Sequence, residues 1–189
     1  MCPDAVANRD SRRYTRHVTT SDRFAQWYEY ECDCNKQMLA FFETVPQENR
    51  GDDRYQRAVD LAGHLAACRE NWLDRMINSA RCQVEWWQSD VPLASLHERY
   101  ETLQAHWKSY LAALDDAELA RDFDFFGRDG SRYRWNVEGQ LVQLNGHAWY
   151  HRGQIALLID SLGGETVDTD YLYWAYEREP RYGKFDEAT

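Results

Sequence analysis

The stretch NVEGQLVQLNGHAWYHRGQIALLIDSLGG, residues 136–164, decides the fold. Val137, Leu141, Leu144, Ala148, His151, Ile155, Leu158 and Leu162 recur at steps of three and four. That spacing gathers side chains on one face of an α-helix. Asn136 is placed to cap the start, because its short polar side chain can accept an orphan backbone N–H. Gly163 and Gly164 supply the stop. The predicted helix covers residues 136–162, and within it His147 and His151 stand four apart. Residues so spaced lie one turn apart on the same face.

The same period appears three times upstream. Over residues 21–44 the seam is Phe24, Trp27, Glu31, Cys34, Met38 and Phe41, with Ser21 or Asp22 to cap it and Pro46 just past its end. Over residues 53–80 it is Tyr55, Val59, Ala62, Ala66, Leu73 and Met76, with His64 and Cys68 on a neighbouring stripe beside Leu61. The third helix is predicted to start at Ser95-x-x-Glu98, which reads as a capping box. It continues through Leu96, Tyr100, Leu103, Trp107, Tyr110 and Leu114 and ends near Asp115. Residues 121–135 lose the period: Phe123 and Phe125 alternate with Asp, and Tyr133 and Trp135 with Arg. A short hairpin and an irregular crossover both fit that stretch.

Four helices joined by one short and two longer connections imply an all-α four-helix bundle. The bundle spans residues 21–165, after a flexible arm of residues 1–20 and before an aromatic tail of residues 166–189 that holds Tyr171, Tyr173, Trp174 and Tyr176.

Composition narrows the function. A net charge of −10 over 189 residues argues against nucleic-acid binding, which needs a basic face to release counterions. It also disfavours anionic membrane surfaces. No apolar run is long enough to span a bilayer, and the first twenty residues lack the apolar core of a signal peptide. A cytoplasmic location is the expectation. Five cysteines, Cys2, Cys32, Cys34, Cys68 and Cys82, are odd in number and irregular in spacing. They read as thiols rather than a disulfide framework.

His147 and His151 can reach one ion at about 2.0–2.1 Å, the usual zinc–nitrogen distance. His64, in the second helix, is the best candidate for a third ligand. A histidine pair at this spacing is often coincidental, and a lone histidine near a core is more often hydrogen-bonded than metal-bound. His17, His97 and His106 fall off the predicted seams.

The pattern His147-Ala-Trp-Tyr-His151-Arg-Gly-Gln resembles the last helix of the DinB/YfiT-like family. Leu61-Ala-Gly-His64, with Trp72 eight residues after the histidine, is similar to that family's first ligand segment. Residues 27–35 also fit its first helix, and the resemblance runs from about residue 22 to residue 174. It implies a four-helix bundle that binds a divalent ion, nickel or zinc, through His64, His147 and His151. The family often has another histidine before the last ligand, where this chain has Tyr150. Relatives commonly pair as homodimers, and some resemble transferases that use a low-molecular-weight thiol.

Three protein ligands leave positions open on the ion, the mark of a catalytic site. Three functions follow: a metal-dependent thiol transferase, a metal-dependent hydrolase, and a non-catalytic bundle braced by its metal. Glu31 and Asn35 are candidates to orient a ligand histidine or to bind substrate; the alternative is a partly solvated polar pair. Trp27, Tyr28, Trp72 and Trp149 are expected to line the pocket unless they are plain core. Arg152 either steers an anionic substrate or makes a salt bridge. Cys68 is read as a buried thiol before a fourth ligand.

Overall fold

The structure, a computed structural model, describes residues 18–78, 84–127 and 129–178. The expected arm up to residue 17, the end of the second helix at residues 79–80, His17, Cys2, Cys82 and the tail beyond residue 178 lie outside the described residues.

Helix α1 (Thr20–Thr44) starts from a capping box on Thr19, two residues before Ser21, the nearer of the expected caps. Thr19 Oγ1 accepts from Asp22 N at 3.1 Å, and Asp22 Oδ2 accepts from Thr19 N at 3.1 Å. Asp22 is therefore the reciprocal partner, not the cap. A 3-10 turn, Gln47–Asn49, leads into α2 (Asp53–Asn78).

Helix α3 (Leu93–Ala112) departs from the sequence reading at both ends. The chain turns helical directly after Pro92, so Ser95 sits inside the first turn and its hydroxyl donates to Pro92 O at 2.7 Å. Ser95 and Glu98 form no capping box. Proline lacks an N–H and presets its own φ, so it suits a helix start. The helix ends before Asp115, which instead caps a further short helix, α4 (Asp116–Ala120), by accepting from Glu118 N at 2.8 Å. Helix α4 buries Leu119, beside a buried Leu114.

Residues 122–136 form an antiparallel hairpin of β1 (Asp122–Phe126) and β2 (Arg132–Asn136), with Phe123 opposite Trp135 and Phe125 opposite Tyr133. The alternation sends Phe123 and Phe125 toward Trp72 on α2 and leaves Asp124 to pair with Arg132 and Arg134 outside. Asn136 then caps α5 (Val137–Ser161), accepting from Gly139 N at 2.6 Å. Gly163, at φ +77°, closes it in the left-handed conformation that glycine adopts without strain.

The architecture is mostly helical. Helix α1 packs on α3 and α5, and α2 packs on the same two, so the four long helices enclose one core. Its centre holds Met38, Phe42, Val59, Leu96, Trp107, Leu144, Ile155 and Ile159. Helix α6 (Tyr171–Arg178) lies against α1, where Tyr171 and Trp174 pack edge-on against Tyr30. No helix among the described residues is long and apolar enough to cross a membrane.

Candidate metal centre

Helices α2 and α5 pack closely along their length, and His64, His147 and His151 meet where they face each other. One potential ligand atom from each ring lies within 4.8 Å of the others. His64 Nε2 and His147 Nε2 are 3.2 Å apart. Two lone-pair nitrogens come that close only with a proton or a cation between them. Tetrahedral bonds of about 2.0–2.1 Å place neighbouring nitrogens about 3.3–3.4 Å apart, so the donor set fits a small divalent ion.

The outward nitrogens are occupied. His64 Nδ1 is 2.5 Å from the carbonyl oxygen of Trp86, and His151 Nδ1 is 2.7 Å from Gln154 Oε1. With Oε1 and a carbonyl oxygen as acceptors, both rings carry their proton on Nδ1 and present Nε2 inward. Such partners fix the tautomer and the ring angle of a metal ligand. Burial, followed by the neighbouring His151 and His64, pushes His147 down to about 4. Burial also lowers His151, against the opposing effect of the hydrogen bond it donates to Gln154. At neutral pH these two imidazoles are uncharged, as ligation requires.

The loop from Val84 to Pro92 supplies an element that the sequence reading missed. Trp87 lies parallel to His64, and Trp86 turns its carbonyl oxygen to His64 and its ring edge-on to Trp72. The loop is tied to α2 at both ends. Asn71 Nδ2 donates to Val84 O at 2.9 Å, Val91 N donates to Asp60 Oδ1 at 3.0 Å, and Gln56 Nε2 donates to Val91 O at 3.1 Å. Gly63 permits the approach: a Cβ there would sit 3.0 Å from Val91 Cγ2.

The other candidate residues are distributed around this centre. Glu31 forms a buried two-pronged ion pair with Arg69, whose guanidinium also stacks over Trp107 and Tyr28. Glu31 and Asn35 share with His147 a cavity of about 10 Å³, too small for an organic substrate. Tyr28 is core, packed on Trp107. Trp27 packs edge-on against Phe24. Trp72 packs edge-on against Trp86, whose carbonyl oxygen faces His64. Trp149 and Arg152 line a cavity against α1 and the segment before α6. Trp149 is two residues from His147, and such pairs point to different sides of a helix. His97 and His106 are exposed. Cys68 Sγ lies 3.5 Å from His64 Nε2 and 4.0 Å from His147 Nε2, against the inner side of the centre.

No curated protein and no solved structure matches this chain. The sequence model of the DinB family matches residues 16–181, from before the first cap through the last described helix. With most of the chain matched and the three histidines of the resemblance gathered at one point, this chain belongs to the DinB family.

Proposed function

We propose that this chain is a cytoplasmic four-helix bundle whose three-histidine centre holds nickel or zinc and activates the sulfur of a low-molecular-weight thiol for transfer. The observation that carries the reading is the convergence of three imidazoles from two helices, two of them backed by acceptors. When bound, the ion supplies Lewis acidity that favours the thiolate form of a thiol.

The chain's own residues do the rest. His64, His147 and His151 offer lone pairs from a cluster in which His64 and His151 are buried and His147 half-buried, and burial disfavours the charged form of His147 and His151. Trp86 O and Gln154 hold the outer protons, and Trp87 shields the His64 face from water. The carboxylate behind the cluster, Glu31, is committed to Arg69 and so serves as a base for neither a thiol nor a water. A free thiol loses its proton to solvent near pH ~8.5 whereas free water does so only near ~15.7, so less acidification is needed to form a thiolate than a hydroxide, which favours thiol transfer over hydrolysis.

Metal analysis of untagged protein should find one divalent ion per chain. His64→Ala, His147→Ala and His151→Ala should each lose it, while His97→Ala and His106→Ala keep it. In cobalt-substituted protein an added small thiol should produce a sulfur charge-transfer band. Full occupancy in His64→Ala overturns the ligand set. A cobalt spectrum that neither thiol nor azide alters overturns the open site and leaves a metal-braced bundle. Ester turnover without thiol supports a hydrolase instead.

A further inference from the structure

We propose that the cavity between α1, α5 and the segment leading into α6 binds a small organic carboxylate, with Arg152 as its charge partner. The cavity is about 420 Å³, within the usual size of small-molecule sites. It lies on the face of α5 turned away from the metal centre. Trp149, Arg152, Gly153 and Ala156 line it at steps of three, one and three, about half a turn round the helix from His147 and His151. The proposal does not rest on the thiol-transfer reading.

Charge accounting drives the inference. Arg152 is only 6% exposed, and a guanidinium stays charged wherever it is placed. Its Nη2 has no acceptor among the described residues. Among the described residues its Nη1 reaches the neutral Asn35 Oδ1, at 3.4 Å. Of the neighbouring carboxylates, Glu31 is engaged with Arg69 and Asp33 with Arg178 and Trp174, while Asp170 lines the same cavity but stands exposed and forms no ion pair with Arg152 among the described residues. Arg69, a buried arginine on α2, shows what satisfaction looks like, with a carboxylate across both prongs. A buried cation without a counter-ion is strongly unfavourable, so the site calls for an anion from outside.

The walls select its kind. Met38, Phe41 and Ala156 are apolar, and Tyr30, Trp149 and Tyr171 add aromatic faces. A planar carboxylate matches the guanidinium fork, and an apolar or aromatic body suits the walls. Asp170 stands exposed at the mouth and opposes a dianion more than a monoanion, which disfavours inorganic phosphate. The aromatic tail gains a role as the outer wall: Tyr30 Oη donates to Thr169 O at 2.5 Å, and Trp174 Nε1 donates to Asp33 Oδ2 at 2.7 Å.

Titration calorimetry of the full chain with benzoate tests the site, on metal-loaded and chelator-treated protein alike. One benzoate per chain should bind with the same affinity in both, since coordination to the ion is not involved. Arg152→Met removes the charge and, by relieving an unpaired buried cation, should still fold. Ala156→Phe fills the cavity and leaves Arg152 in place. Each should weaken benzoate by about tenfold or more, equivalent to about 1.4 kcal/mol. No saturable binding up to about 10 mM, a range that covers weak sites, overturns the proposal. So does affinity unchanged in both variants, or binding confined to metal-loaded protein. Phosphate binding without benzoate binding shows an inorganic anion site and overturns the carboxylate assignment.

Discussion

Trp87 lies flat on His64, with ring centroids 3.6 Å apart and planes 6° from parallel. The indole is 43% exposed, so it covers the imidazole more than it fills a core. Arg57 sits over its outer face at 5.6 Å. Trp87→Ala should change unfolding free energy by less than about 1 kcal/mol, as exposed substitutions do. Freed of its stack, His64 should hold metal about tenfold less tightly, a typical effect of losing a residue that orients a ligand. Competition with a chromophoric chelator reads the affinity; a value equal to wild type makes the stack a bystander.

Gln154 orients His151 from the next turn of the same helix. Gln154→Leu removes the acceptor and should weaken metal binding by about ten- to a hundredfold. Gln154→Glu keeps an oxygen in place and should bind at least as tightly as wild type. The same chelator competition compares the pair, and equal losses in both would show that the contact is not what matters.

His147 makes the metal-free fold sensitive to acid. In the folded chain burial pushes it down to about 4, whereas in the unfolded chain it titrates near its ordinary value, about 6.5. Between those values the unfolded state binds a proton that the folded state refuses, so folded stability falls as pH falls. The loss begins near the unfolded value and is complete once the folded ring also protonates. Denaturation midpoints of chelator-treated protein at pH of about 7, 5.5 and 4.5 should fall more steeply in wild type than in His147→Gln. Parallel slopes would place the acid sensitivity elsewhere.

Glu31 and Arg69 separate a structural polar cluster from the chemistry beside it. Breaking a buried pair by neutralising one partner leaves an uncompensated charge and costs about 3–5 kcal/mol. Glu31→Gln should therefore lower stability by that order in chemical denaturation while retaining one metal ion per chain. Loss of the ion with stability intact would make Glu31 part of the centre.

Much of this was legible in the chain. The helical seams of α1, α2 and α5 are local facts, since 3.6 residues per turn puts Leu141, Leu144 and Ala148 on one side whatever packs against them. Asn136 and Gly163 mark the ends of α5 because capping is satisfied within a few residues. The start of α3 departs from its local signal for a related reason: Ser95 and Glu98 suit a capping box, but Pro92 begins the helix before them and leaves them inside it.

Sequence alone determined the two-histidine face of α5 and the family to which the pattern belongs, because both rest on spacing along one element. Tertiary structure alone decided what surrounds that face. Trp86 and Trp87 sit in a stretch without period, and they reach His64 only because Asp60, Gln56, Asn71 and the bare Gly63 hold the loop onto α2. Likewise, the sequence placed Arg152 beside a ligand, while packing against α1 turned it away into a different cavity and left its charge unpaired among the described residues. Hydrogen bonds across distant chain segments have no signature in local periodicity, since either partner satisfies the same local rules with or without the other.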